Sequence, residues 1–174
     1  MATYTLISSN VLASSAASVT FSSIPATYTD LVLRLSVRSS KSDTDDYMMM
    51  QFNSITSGYS ETTLYANSTP TPASWGQTGL SAVGGSQYFI ITGNTATAST
   101  FSNVEYYIPS YAVSQNKPVS GMTTPENSNT TKYVPRVMAA LMSNTATISG
   151  ITFTLGSSNF MSGSSFYLYG ISNA

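Results

Sequence analysis

Apolar and polar residues alternate along this chain in short runs, and a period of two is the mark of strands buried on one face. The clearest run is Asp30–Arg38. There Leu31, Leu33, Leu35 and Val37 fall on one side of a strand, and Arg34, Ser36 and Arg38 on the other. Both arginines are expected to point away from the core, or toward a partner. Further strands are predicted over Thr3–Ile7, Ser18–Ile24, Tyr47–Asn53, Thr62–Asn67, Gln87–Thr92, Phe101–Ile108, Val119–Thr123, Ile148–Leu155 and Ser165–Ile171. In the last, Phe166 and Leu168 occupy one face and Tyr167, Tyr169 and Ile171 the other, so a central position in a sheet is expected. Turn signals separate the runs, among them Pro25, Ser57-Gly58, Gly84-Gly85, Gly93-Asn94, Pro109, Pro125 and Ser162-Gly163. About ten short strands at this spacing predict an all-β chain, an antiparallel β-sandwich of jelly-roll type.

One segment supports two readings. Val134, Val137, Met138, Leu141 and Met142 recur at helical spacing, and 136–142 is rich in helix formers. Read as a strand, it sets Tyr133, Val137, Ala139 and Leu141 against Val134, Arg136, Met138, Ala140 and Met142. The strand is preferred, because its neighbours are strands and Pro135 is tolerated near a strand's start. Three stretches read as long loops: Ser68–Gln77, holding Pro70, Pro72 and Trp75, then Tyr111–Lys117 and Pro125–Thr131. Loops of this length often carry contacts with other molecules. Met48-Met49-Met50 is unusual on a strand, because Met48 and Met50 face one way and Met49 the other. A strand covered on both sides accounts for it and points to an oligomer.

Composition works mainly by exclusion. A chain of 174 residues suits one domain, 1–174, with a core of its own. It contains no Cys and no His, so disulfides, thiol nucleophiles, zinc ribbons and a Ser-His-Asp triad are all excluded. Only 7% of the residues are charged, against about 25% in ordinary soluble domains. The net charge is −1 with no basic stripe, which argues against nucleic-acid binding. No run of apolar residues reaches the length of a membrane span. Met1-Ala2-Thr3-Tyr4 bears no positive charge ahead of its short apolar run. No secretory leader is therefore expected, and synthesis in a cytoplasm is. The sequons Asn67-Ser68-Thr69 and Asn129-Thr130-Thr131 are what a chain rich in Ser and Thr generates by chance.

Little is left to carry chemistry. Asp43, Asp45 and Asp46 form the densest acidic cluster and can in principle chelate calcium, yet the run lacks the glycine and closing glutamate of an EF-hand loop. A solvated turn is the preferred reading. Glu61 and Glu105 are the candidates for a glycosidase acid and base, but no nucleophile has an activating base beside it in sequence. No enzyme, cofactor or metal is expected. Trp75 can stack on a sugar ring, anchor a protein interface or cap one end of the sandwich. Tyr106, Tyr107 and Tyr111, around Ile108-Pro109-Ser110, are read as core or intersubunit packing.

Several stretches, in order, resemble a widespread group of small tailed-bacteriophage virion proteins. Ser23-Ile24-Pro25-Ala26-Thr27-Tyr28-Thr29-Asp30-Leu31-Val32-Leu33 resembles that group's opening motif. Phe52-Asn53 with Leu64-Tyr65-Ala66-Asn67 resembles its middle region, and Phe101-Ser102-Asn103-Val104-Glu105-Tyr106-Tyr107-Ile108-Pro109-Ser110-Tyr111 its strand and loop. Phe166-Tyr167-Leu168-Tyr169-Gly170-Ile171 is similar to its closing motif. The stretch from Ser68 to Gly85, with Trp75, is the least matched. The resemblance implies a β-sandwich incorporated into a virion, with no catalytic residues. Two functions are expected from it. The first is a capsid decoration (cement) protein on the outer capsid surface, a homo-oligomer (a trimer) bound to the major capsid protein. The second is a tail- or head-fibre tip that reads host glycan through a loop such as that holding Trp75. The first is favoured because no shaft or attachment segment is evident. Arg34 and Arg38 are the candidates for a minor charged contact with the partner.

Overall fold

The computed structural model describes residues 2–66, 72–125 and 135–172. Among them the chain is strand, turn and loop, with no helix. In chain order the strands are β1 (Thr3–Val11), β2 (Ser18–Phe21), β3 (Asp30–Val37), β4 (Asp45–Phe52), β5 (Tyr59–Ala66) and β6 (Pro72–Leu80). They continue with β7 (Ile90–Thr92), β8 (Ser102–Ile108), β9 (Lys117–Thr124), β10 (Arg136–Met142), β11 (Ile151–Leu155) and β12 (Ser165–Ser172). Eight of them form one sheet in the order β1-β12-β3-β8-β9-β10-β5-β6, and β2-β11-β4-β7 form the other. Every strand pair is antiparallel.

The alternation explains the layering. In β8, β9 and β10, buried and outward residues follow one another, so each strand gives one row to the core and one to the outside. The inward rows of the large sheet pack on the small one. Phe153 of β11 lies 6.2 Å from the ring of Tyr106 on β8 and 5.7 Å from that of Phe166 on β12. Phe160 meets Phe166 edge-on at 5.1 Å. Met48 and Met50 are fully buried in this core, while Met49, on the other face of β4, is half-buried.

The two-way segment is a strand. Arg136–Met142 pairs with both β9 and β5, and its burial runs with a period of two. Tyr133 and Val134 lie outside the described residues. β12 sits inside the large sheet between β1 and β3, in keeping with its two apolar faces.

Two expectations fail. Ser68–Gln77 is not one long loop: Pro72–Leu80 forms β6, paired along β5. Its prolines and glycines hid it, since an edge strand exposed on both faces needs no apolar alternation and tolerates proline at its first residue. Trp75 therefore stands on a strand, not a loop. Gln87–Thr92 contributes only Ile90–Thr92 as strand, because Gly84 to Gln87 turn first, with the Gln87 N–H donating to the Gly84 carbonyl. Asn67 to Thr69 and Glu126 to Thr131, including both sequons, lie outside the described residues.

The separate motifs meet at one end of the sandwich. Asp30, from the first, accepts the Tyr107 hydroxyl and the Ser110 N–H at 2.8 Å each. The Tyr111 hydroxyl donates to the Pro25 carbonyl and accepts the Tyr28 N–H. Gly170, from the closing motif, lies against the Tyr28 ring, where a Cβ would overlap it. The Thr29 N–H donates to the Ile171 carbonyl at 2.8 Å. These residues fasten the turn entering β3 to β8 and β12, so physically they specify the fold.

Candidate functional site

Arg34 and Arg38, four residues apart, part company. Arg34 points outward from β3, with its side chain 61% exposed, and its Nε donates to Glu105 Oε2 at 3.1 Å. Arg38 is buried, contrary to expectation. β3 ends at Val37, and beyond that point the alternation that put Arg38 outside no longer applies. Its Nη1 donates to the carbonyls of Thr97 (2.7 Å) and Thr100 (2.9 Å), and its Nη2 to those of Asn94 and Ala96 (3.1 Å each). The guanidinium is the hub of the loop between β7 and β8, and it is not placed to touch a partner.

Trp75 is 45% exposed and stacks on Tyr88 with ring centres 5.2 Å apart. Tyr88 also meets Tyr65 at 5.1 Å, and the Arg136 guanidinium lies 4.9 Å over the Tyr65 ring. Trp75 thus ends a row of rings along the inward side of the β5–β6 edge, with part of its indole open to solvent.

The acidic residues do not converge. Asp46 is buried and accepts the Ser39 and Ser158 hydroxyls and the Tyr47 N–H. Asp43 caps the turn by accepting the Thr44 N–H at 2.7 Å and lies 3.5 Å from the Lys41 ammonium. Among the described residues no three metal-ligating side chains come together. Nor do Glu61 and Glu105 form a carboxylate pair. Glu61 faces inward from β5 and Glu105 outward from β8, with β9 and β10 between those strands. Three strand spacings are about 14 Å, wider than the roughly 5–9.5 Å of a glycosidase pair. Glu61 instead holds the segment after β6, accepting the Gly84 N–H (2.6 Å), the Ser86 N–H (3.2 Å) and the Ser86 hydroxyl.

Lys117 is buried as well, its ammonium donating to the carbonyls of Val113 (2.6 Å), Gln115 and Thr145 (3.3 Å). Burial pushes its pKa down. Burial pushes Tyr106 well up, helped by the nearby Glu61 charge, and raises Tyr59 and Tyr111 too. The hydrogen bond to Asp30, ahead of burial, raises Tyr107. A raised tyrosine contributes stability that is whole below its unfolded value near pH 10 and is lost as pH climbs through the folded value. Lys117 acts oppositely, recovering stability as pH rises from its lowered value toward about 10.4. Four tyrosines outweigh one lysine above pH 10. The melting temperature is therefore expected to fall steeply only beyond about pH 10, together with the rise in phenolate absorbance. In Tyr106→Phe, which also removes a buried hydroxyl lacking a partner, that fall is expected to begin at the same pH but to be smaller, since Tyr59, Tyr107 and Tyr111 remain. An unchanged profile in the variant would contradict the assignment.

What the sequence reading missed is the uncovered face of the large sheet. Register carries one transverse row across it: Arg34 opposite Glu105, Glu105 opposite Met122, Met122 opposite Val137 and Val137 opposite Leu64. Met122, Val137 and Leu64 are 45%, 50% and 56% exposed, an apolar ridge over three adjacent strands. The next row, two residues along, begins with Tyr107 on β8 and is small from β9 to β6: Ser120, Ala139, Thr62 and Gly76. These last three positions, with Ser60 and Thr78, line a shallow trough of about 540 Å³. Apolar residues at outward strand positions were the available signal. In 136–142 both faces are apolar, so alternation alone did not show which faced out.

The fold and this face define an all-β two-sheet protein with an open sheet surface and no assembled catalytic group among the described residues. Compared with protein families, curated proteins and solved structures, the chain has no match.

Proposed function

We propose that the protein is a structural component of a tailed-bacteriophage virion, a decoration protein that binds the outer capsid surface in many copies and stabilises it by interface burial. The observation that carries this reading, beside the motif resemblance, is where the charges are. Asp30, Asp46, Glu61, Arg38, Lys117 and Arg136 are buried, each held by hydrogen bonds or ring contacts. A chain already poor in charge thus exposes even less of it, and a nearly neutral surface favours repeated docking on a symmetric lattice. A stable contact buries about 1,200–2,000 Å², here through apolar and hydroxyl-bearing side chains.

The test adds the purified protein to capsids that lack it, at physiological and at about 1 M salt, where charge-dominated contacts are screened. Binding and a raised capsid melting temperature are expected at both. Loss of binding at high salt would count against the mechanism, and no binding at either against the function. The competing reading, a fibre tip for host glycan, draws on the partly open indole of Trp75 beside Tyr88 and Tyr65. Glycan-array binding abolished by Trp75→Ala, with no capsid binding, would put that reading in its place.

A further inference from the structure

We infer that the uncovered face of the eight-stranded sheet is a self-association surface, and that its occupant is a second copy of this chain packed face to face about a two-fold axis. The inference does not rest on the virion reading.

Three observations select this occupant. The first is shape. The ridge of Met122, Val137 and Leu64 runs beside the trough of Ala139, Thr62 and Gly76, with β10 and β5 carrying both. The rows lie two residues apart, about 7 Å. A two-fold axis in the interface plane, crossing the strands midway between the rows, exchanges them. It seats each ridge in the other copy's trough, the reciprocal fit that a two-fold contact requires. An axis parallel to the strands would set ridge on ridge.

The second is charge. The exposed charges of this face, among the described residues, are Arg34 and Glu105, which already pair at 3.1 Å. The face is neutral as a unit, so a copy can approach without like charges being brought together, and neither ion loses its partner.

The third is area. Eight strands about 4.8 Å apart and seven residues at about 3.3 Å give a face of roughly 38 by 23 Å, near 850 Å². Two such faces bury about 1,700 Å², the size of a standard stable interface.

A face that meets its own copy closes at two subunits, so the expected assembly is a dimer, not the trimer expected from the sequence. Sedimentation or light scattering on the full chain over a range of concentrations tests it. The wild type is expected at the mass of two chains. Met122→Lys with Val137→Glu puts charges on the ridge in a register of alternating sign beside Glu105, so that no like charges face one another within the sheet, and Ala139→Trp independently fills the trough. Each is expected to weaken association by roughly a hundredfold or more while leaving the melting temperature of the separated chain unchanged, since all three positions are exposed. A wild-type mass of one chain or of three, or a two-chain mass that survives both variants, overturns the inference. So does a monomer whose variants lose capsid binding, because the face then belongs to the capsid protein.

Discussion

Replacing Arg38 with methionine is expected to lower the melting temperature by about 10 °C, for a loss of about 3–4 kcal/mol at roughly 2–4 °C per kcal/mol. Methionine keeps the length of the side chain, so the loss isolates the guanidinium. That group donates to the carbonyls of Asn94, Ala96, Thr97 and Thr100. Without it, four acceptors that converge on one point lose their donor. A buried polar group left unmatched costs about 1–3 kcal/mol, and the loop relaxes enough that the four costs do not add. Arg38→Lys is expected to recover less than half, because a single ammonium cannot span a fan of carbonyls set out for a planar fork. Calorimetry checks both variants. If the proposed capsid-decorating role holds, the same proteins, assayed well below their melting temperatures, are expected to bind capsids as tightly as the wild type. A stable Arg38→Met that failed to bind would return Arg38 to the interface and refute the structural role.

Gly84→Ala is expected to cost about 4 kcal/mol, near the upper end for single substitutions. Gly84 has φ +81°, a conformation that side chains adopt poorly, and a Cβ there would run into the backbone carbonyl oxygen of Met48. That carbonyl cannot swing aside, because β4 is held on one side by β11 and on the other by the mutual hydrogen bonds of Met50 and Val83. The Gly84 N–H is also bound by Glu61. Gly79 is the control: its φ is +69°, but nothing lies within 4 Å of a Cβ built there. Gly79→Ala is expected to cost only the left-handed backbone term, about 1 kcal/mol. Thermal unfolding of the two variants separates strain alone from strain with collision. Equal effects would mean that the segment after β6 yields and the collision is relieved.

The contrast between Arg34 and Arg38 shows how far sequence reasoning reaches. Within β3 the alternation placed Leu31, Leu33, Leu35 and Val37 in the core and Arg34 outside, because a regular strand fixes both faces at once. One residue past the strand's end the rule no longer held, and the partners that draw Arg38 inside lie more than fifty residues away. β6 was illegible for a related reason: it is edged by solvent on both faces, so no burial pattern is written into Pro72–Leu80. The open face was half legible. The outward positions of β8 and β9 can be read by period and those of β10, apolar on both faces, cannot; that Arg34, Glu105, Met122, Val137 and Leu64 form one row depends on the order β3-β8-β9-β10-β5, which local sequence does not encode.

The pairing of β1 with β12, and of β12 with β3, has a consequence during synthesis. The β1–β12–β3 edge of the large sheet cannot assemble until β12 has left the ribosome, and the small sheet likewise waits for β11 to fill the gap between β2 and β4. β1 and β2, whose strand partners are β12 and β11 alone, must therefore remain unpaired for most of the time it takes to make the chain, and non-local β topologies are slow to close even afterwards, in milliseconds to seconds. Nascent chains usually stay apart through repulsion between charges. With so few charges, this one must rely on the hydration of its many hydroxyls. Its yield is thus expected to depend on the rate of translation and on crowding among newly made copies, as well as on the stability of the finished sandwich.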